Sequence, residues 1–266
     1  MNYIMATTNF RYLAKSFSST GCLTPFSNTD ELPKLLKKKY RYLSEGGTSF
    51  AFISEDKKTV LKCFKTPAGM LKQYNEWRVP LTRSSNRKKQ IKAAKIKIAR
   101  DFRSSWRSYN LLKNETGLLY IHAAPRPLPV KSVTVDGQPI DLEKLPFIFQ
   151  KSATLIRDRL KVLKDAGEKE KMLQTIEEVT DFIISLWSKG WVDASMFFHH
   201  NIGYQKDGTI VQVDTGDFLS DKATLKQKRE TATKYIKASS EWLRDNFNDL
   251  QPVYTERMVG GLRKIT

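Results

Sequence analysis

"WVDASMFFHHNIGYQKDGTIVQVDTGDF", residues 191–218, carries two of the chain's three histidines and several carboxylates around a single turn signal. Ile202 to Tyr204 and Ile210 to Val213 read as short strands, and Asp207-Gly208 between them favours a tight hairpin turn. Asn201 and Asp214 stand at the hairpin's two outer ends, so its closure folds both side chains toward one point. Two oxygen ligands leaving room for waters suit Mg²⁺ on a nucleotide. Asp193, eight residues before Asn201, leaves a helical segment. It can orient or deprotonate a hydroxyl, and it reads equally well as a helix-exit or turn carboxylate. His199 and His200 are neighbours, so in a strand their rings face opposite ways and cannot share a metal. Neither has a partner at zinc spacing, and both read as structural.

Outward from this stretch the chain changes character. Between Gln150 and residue 191 the pattern is helical throughout, with a short helix from Ala153 to Leu163. A stripe of Met172, Ile176, Val179, Ile183, Leu186 and Trp187 follows, ended by Gly190. From Leu225 to Phe247 it is helical again.

The first half reads differently. "YRYLSEGGTSFAFISEDKKTVLKCFK" (40–65) alternates as strand, Gly turn, strand, turn, strand. Pro80 to Asn86 breaks the pattern. Ile91, Ala94, Ile98, Phe102, Ser105, Tyr109 and Leu112 then mark a long amphipathic helix. "LLYIHA" (118–123), "VTVDGQPIDL" (133–142) and "LPFIFQ" (145–150) add strands, with a hairpin signal at Asp136-Gly137. The order predicts an α+β chain: a flexible leader over 1–33, a mostly antiparallel sheet lobe with one major helix over 34–150, and a helical lobe over 151–266. A cleft between lobes is where ligands prefer to bind.

Two features of the sheet lobe bear on phosphate chemistry. Gly46 and Gly47 let backbone approach a ligand and aim amides at phosphate oxygens, although an ordinary Gly turn reads the same way. Lys62 alternates with Val60 and Phe64, and an inward lysine is costly unless it is paired or binds an anion. Lys65 faces the other way.

Composition bounds the rest. At 266 residues with 40% hydrophobic content the chain can bury one large core or two modest ones, and no apolar run approaches membrane-span length. Cys22 and Cys63, the only cysteines, support neither a disulfide framework nor a zinc site and point to a reducing compartment. The net charge of +18 favours phosphate-bearing or acidic partners. It concentrates in "KLLKKKYR" (34–41) and between Arg83 and Arg107, where ten Lys and Arg face one acid, Asp101. Such runs are usually solvated helix faces. No aromatics are interleaved as single-strand binding requires.

"LSEGGTSFAF", "VLKCFK", "WVDASMFFHHN" and "VQVDTGDF", in that order, resemble the Gly-rich loop, lysine strand, catalytic loop and metal-binding segment of the protein-kinase-like superfamily. The resemblance covers residues 40–220 and implies a bilobal kinase-like fold with a reduced helical large lobe. It implies ATP between lobes, held by Gly46, Gly47 and Lys62, with Mg²⁺ on Asn201 and Asp214. Asp193 takes the place of the catalytic base, and Asp101 is the acid that holds Lys62. The chain departs from the pattern at several points. Trp191-Val192 replaces the His-Arg pair, eight residues instead of five separate Asp193 from Asn201, and "DTG" stands for "DFG". Only 52 residues follow Asp214.

The expected activity is transfer of the γ-phosphoryl group of Mg·ATP to a hydroxyl on a protein or small molecule. The catalytic-loop departures keep open a pseudokinase acting through nucleotide or partner binding. The basic runs keep open a nucleic-acid-binding module, or an acidic protein docked beside the ATP site. Location is expected in the cytoplasm, or in a host cytosol if the acid-free, Ser/Thr-rich leader belongs to a secreted bacterial effector.

Overall fold

The computed structural model describes residues 31–65, 84–122, 127–143, 145–219 and 221–266. Most of the leader, Cys22 and Pro80 lie outside them. The chain divides into two compact units, residues 1–152 and 153–266, with separate hydrophobic cores.

The first unit is a seven-stranded sheet with helices. Helix α1 (Leu32–Leu36) precedes β1 (Lys39–Glu45), β2 (Ser49–Ser54) and β3 (Thr59–Phe64). Then come α2 (Ser84–Leu111), the short α3 (Lys113–Thr116), β4 (Leu118–His122), β5 (Ser132–Val135), β6 (Gln138–Asp141) and β7 (Phe147–Lys151). The spatial order is β4-β7-β3-β2-β1-β5-β6, antiparallel except for the short β1–β5 pair. Asp136 and Gly137 both take positive φ, as the Asp-Gly signal requires of the β5–β6 turn.

Alternation sorts β3 between two cores. Leu61 and Cys63 join Tyr40, Phe52, Phe147 and Phe149 on one face. Phe64 packs with Ile98 and Phe102 of α2 on the other, its ring edge-on to Phe102 at 4.9 Å. The same alternation puts Lys62 on the α2-facing side, half-buried, opposite Ala51 and Ile148. Burial in this core pushes the Cys63 thiol up to about 12, so it stays a neutral apolar filler.

The second unit holds α4 (Ile156–Asp165), α5 (Lys169–Ser188), α6 (Phe198–Asn201), α7 (Leu225–Asn246) and α8 (Gln251–Gly261). With them is a small sheet of β8 (Thr154–Leu155), β9 (Ile202–Tyr204) and β10 (Ile210–Gln212). Ile176, Val179, Ile183 and Trp187 of α5 face Tyr235 and Ile236 of α7 and Tyr254 and Met258 of α8. Thr224 and Gln227 form a capping box at the start of α7. The expectation of no strand between Gln150 and residue 191 is corrected by β8. A two-residue strand carries no periodicity to read, and its place depends on Gly203, where a Cβ would stand 2.7 Å from the Thr154 carbonyl oxygen.

Candidate functional site

Helix α5 ends in a Schellman turn. The Gly190 amide donates to the Trp187 carbonyl at 2.9 Å, the Trp191 amide donates to Leu186 at 2.9 Å, and Gly190 has φ +79. The turn delivers Trp191, Val192 and Asp193 in extended form. Val192 and Ala194 pair antiparallel with residues 217–219: Leu219 N donates to Val192 O at 2.9 Å, and Ala194 N to Asp217 O at 2.9 Å. Val192 is fully buried, and Trp191 meets Phe218 edge-on at 5.2 Å. The carboxylate of Asp193 is therefore fixed from both sides of its own backbone.

The eight-residue spacing to Asn201 is taken up by α6, a single helical turn. His200 and Asn201 amides both donate to the Phe197 carbonyl at 3.0 Å, and Phe198 is anchored in the core against Tyr254 and Trp242. This turn returns Asn201 to Asp193. Asn201 Nδ2 donates to Asp193 Oδ2 at 3.1 Å and to Ser195 Oγ at 2.5 Å, while the Ser195 amide donates to Asp193 Oδ1 at 2.7 Å. Asp193 is 8% exposed and Asn201 6%.

The hairpin closes the site. The amides of Val213 and Asp214 donate to the Asn201 carbonyl at 2.6 and 3.4 Å, so the two outer ends of β9–β10 do meet. Asp214 is exposed, with Oδ1 accepting from the Gly216 amide at 3.0 Å. Gln212, 1% exposed, donates from Nε2 to Asp193 Oδ2 at 2.8 Å and to the Asp214 carbonyl at 2.9 Å. One amide thus ties the buried carboxylate to the backbone of the exposed one.

Burial pushes the Asp193 carboxyl above its ordinary range. The Ser195 and Asn201 hydrogen bonds pull it back, and the charge of Asp214 adds to the rise. The residue types suit a hard cation: Asn201 spends its Nδ2 on Asp193 and Ser195, leaving an amide oxygen, and the exposed Asp214 is joined to Asn201 through its backbone amide. Magnesium asks for no more protein ligands than these, because phosphates and water complete its octahedron. Among the described residues no group of three His, Cys, Asp or Glu could hold a metal.

The histidines depart from the expected strand. They lie in α6 with rings 4.3 Å apart, and His199 stacks on Trp242 at 3.9 Å and 3°. Burial, with His200 and Arg157 adding to it, pushes His199 down to about 3, and its Nδ1 is buried without a hydrogen bond. His200 Nδ1 meets Arg157 at 2.8 Å. The structural reading of both rings fits this packing.

In the first unit, Gly46 and Gly47 form the β1–β2 turn. Neither has positive φ, and a Cβ would meet Ser49 O at 3.7 Å on Gly46 and nothing within 4 Å on Gly47. Their own backbone does not demand glycine, so any need for it comes from what approaches them. The turn is gripped by Lys65, whose ammonium meets Glu45 at 2.6 Å and donates to the Gly46 carbonyl at 2.6 Å. Lys65, not Lys62, is the buried lysine, its side chain 1% exposed. Burial lowers its pKa, against the pull of Glu45. Asp101 is buried on α2, ion-paired with Lys97 at 3.0 Å and Arg100 at 3.1 Å.

The structure therefore brings Asp193, Asn201 and Asp214 together, and puts Lys62, Gly46, Gly47 and Asp101 in the other unit. Sequence reading missed Gln212, Ser195 and the Glu45–Lys65 pair. Gln212 had a signal, being the one polar residue in "IVQV", and the acid directly before the glycines was another.

No family model matches the chain, and no curated protein matches it. Eleven chains of solved structures do. One is the bifunctional kinase-methyltransferase WbdD, with a TM-score of 0.37 and 11% identity over 91% of this chain and 45% of that one. This chain thus spans less than half of that protein's length, and at such a TM-score the likeness assigns neither family nor activity.

Proposed function

We propose that the protein is a kinase-like phosphotransferase that uses Mg·ATP and a hydroxyl acceptor. The observation that carries the reading is the buried linkage of Asp193, Asn201 and Gln212 to the backbone of Asp214. It holds one carboxylate under cover and leaves a second, that of Asp214, exposed to solvent. In this reading Asp193 accepts the acceptor's hydrogen bond and orients its oxygen for attack. Asn201 and Asp214 hold Mg²⁺, which when bound neutralises charge on the phosphates. Lys62 and the Gly46-Gly47 turn are assigned to the phosphates, and Asp101 to the support of Lys62. Catalysis by such a set is positioning and charge neutralisation rather than covalent chemistry.

The deciding measurement is calorimetric ATP binding with and without Mg²⁺, alongside transfer of labelled phosphate by the wild type and by Asp193→Ala and Asp214→Ala. Magnesium-dependent binding is expected, lost in Asp214→Ala and retained in Asp193→Ala, with transfer at least about 100-fold lower in both. Absence of ATP binding in the wild type overturns the reading. Binding without transfer by any of the three proteins selects a pseudokinase.

A further inference from the structure

Helix α2 has a use that the nucleotide reading does not absorb. At 100° per residue, Lys89, Lys92, Ile96, Arg100, Arg103 and Arg107 fall within an arc of about 80° along about 27 Å of helix. Opposite them, Ala94, Ile98, Phe102 and Tyr109 are buried with Phe64, Leu118, Ile121 and Ile148 of the sheet. Lys89, Lys92 and Arg100 are exposed, as is Lys95 on the flank, and Arg103 and Arg107 are half-buried. The helix's only acid, Asp101, is buried and ion-paired with Lys97 and Arg100. Among the described residues no carboxylate pairs with Lys89, Lys92 or Lys95. The outer face is a cationic stripe whose exposed lysines carry no ion pair among the described residues.

We propose that this stripe docks a duplex nucleic acid lengthwise, through its phosphate backbone and without sequence readout. A linear array of cations matches a linear polyanion carrying about one charge per 1.7 Å, and the guanidinium groups suit phosphate oxygens. Three alternatives fit less well. A membrane-surface helix inserts its apolar face, and here that face is consumed by the sheet. A protein interface is depleted in lysine and built on aromatic anchors, whereas the stripe offers Ile96 alone amid lysine and arginine. A single strand needs exposed aromatics to stack its bases, and the stripe has none.

The test uses the full chain and fluorescence anisotropy with a labelled mixed-sequence 20-base-pair DNA duplex from 50 to 300 mM KCl. Lys89→Glu/Lys92→Glu/Lys95→Glu is compared with a control of equal charge change on α7 and its approach, Lys222→Glu/Arg229→Glu/Lys234→Glu. Circular dichroism and melting establish that both are folded. Wild type is expected to bind with a log–log salt slope of about −4, and the α2 variant to lose about 30-fold or more at 100 mM KCl with a slope shallower by about 2 to 3. The control stays within a few-fold. Equal losses in the two variants would place the effect in overall charge and overturn the proposal. So would no binding at 50 mM KCl, tighter binding of the single strand, or preference for poly-glutamate or phosphatidylserine vesicles at matched charge.

Discussion

Lys65 and Glu45 are unequal partners. Lys65 is wholly covered, while the Glu45 side chain keeps a third of its surface in water. Removing the acid takes the Glu45 carboxylate from a buried ammonium, whereas removing the lysine frees a carboxylate to hydrate. Glu45→Ala should therefore cost about 2–3 kcal/mol by urea unfolding and Lys65→Met clearly less; equal losses would show the pair to be energetically exposed. Gly203 is constrained by space instead. An alanine there would press its Cβ into the Thr154 carbonyl and push β8 off β9. Destabilisation of about 2–3 kcal/mol is expected for Gly203→Ala, read as a lower melting temperature, and a neutral result would mean that β8 contributes little. At this scale the sequence exposed the outer hairpin residues well, because Asn201 and Asp214 follow from a turn signal alone. Gln212 and Lys65 were hidden because their roles depend on which strand face is covered, and coverage is set by distant chain.

The turn between β2 and β3 shows how an element stores a pH response. Asp56 accepts from the Ser54 hydroxyl at 2.6 Å, from Lys38 at 2.9 Å and from the Lys58 amide at 3.0 Å. The Ser54 bond first, then Lys38, holds its carboxyl well below the usual range. A folded-state pKa below the unfolded value gives stability that is present above about pH 4 and lost as pH falls. Wild type should therefore lose stability more steeply between pH 4 and pH 2 than Asp56→Asn, the two converging in acid. At neutral pH the gap stays at about 1 kcal/mol, because the pair is solvent-screened. Parallel slopes in urea titrations at several pH values would refute this. Most elements of this kind were legible: β1–β3 from alternation, α2 and α5 from their stripes, β5–β6 from Asp136-Gly137. The turn at α6 was not, since a four-residue helix inside "FFHHN" has no period to detect.

For the whole molecule, the useful fact is that each cluster of buried apolar residues lies within one unit, residues 1–152 or 153–266, among the described residues. The second unit has a complete apolar core of its own, from Ile156 to Ile265. Residues 153–266 expressed alone should fold cooperatively, with a single sigmoidal melt and dispersed amide signals; a molten, non-cooperative fragment would contradict this. The change from sheet to helical patterning at Gln150 was visible in composition and periodicity. That Asn201 and Asp214 would stand at adjoining ends of one hairpin was visible because a tight turn joined them. The stack of His199 on Trp242 has an optical side. His200 alone separates that imidazole from Asn201 in the chain, and the indole lies flat against it. A change in α6 would disturb that stack, so the contribution of Trp242, one of five tryptophans, isolated by comparison with Trp242→Phe, becomes an intrinsic, label-free gauge of whether the loop is engaged.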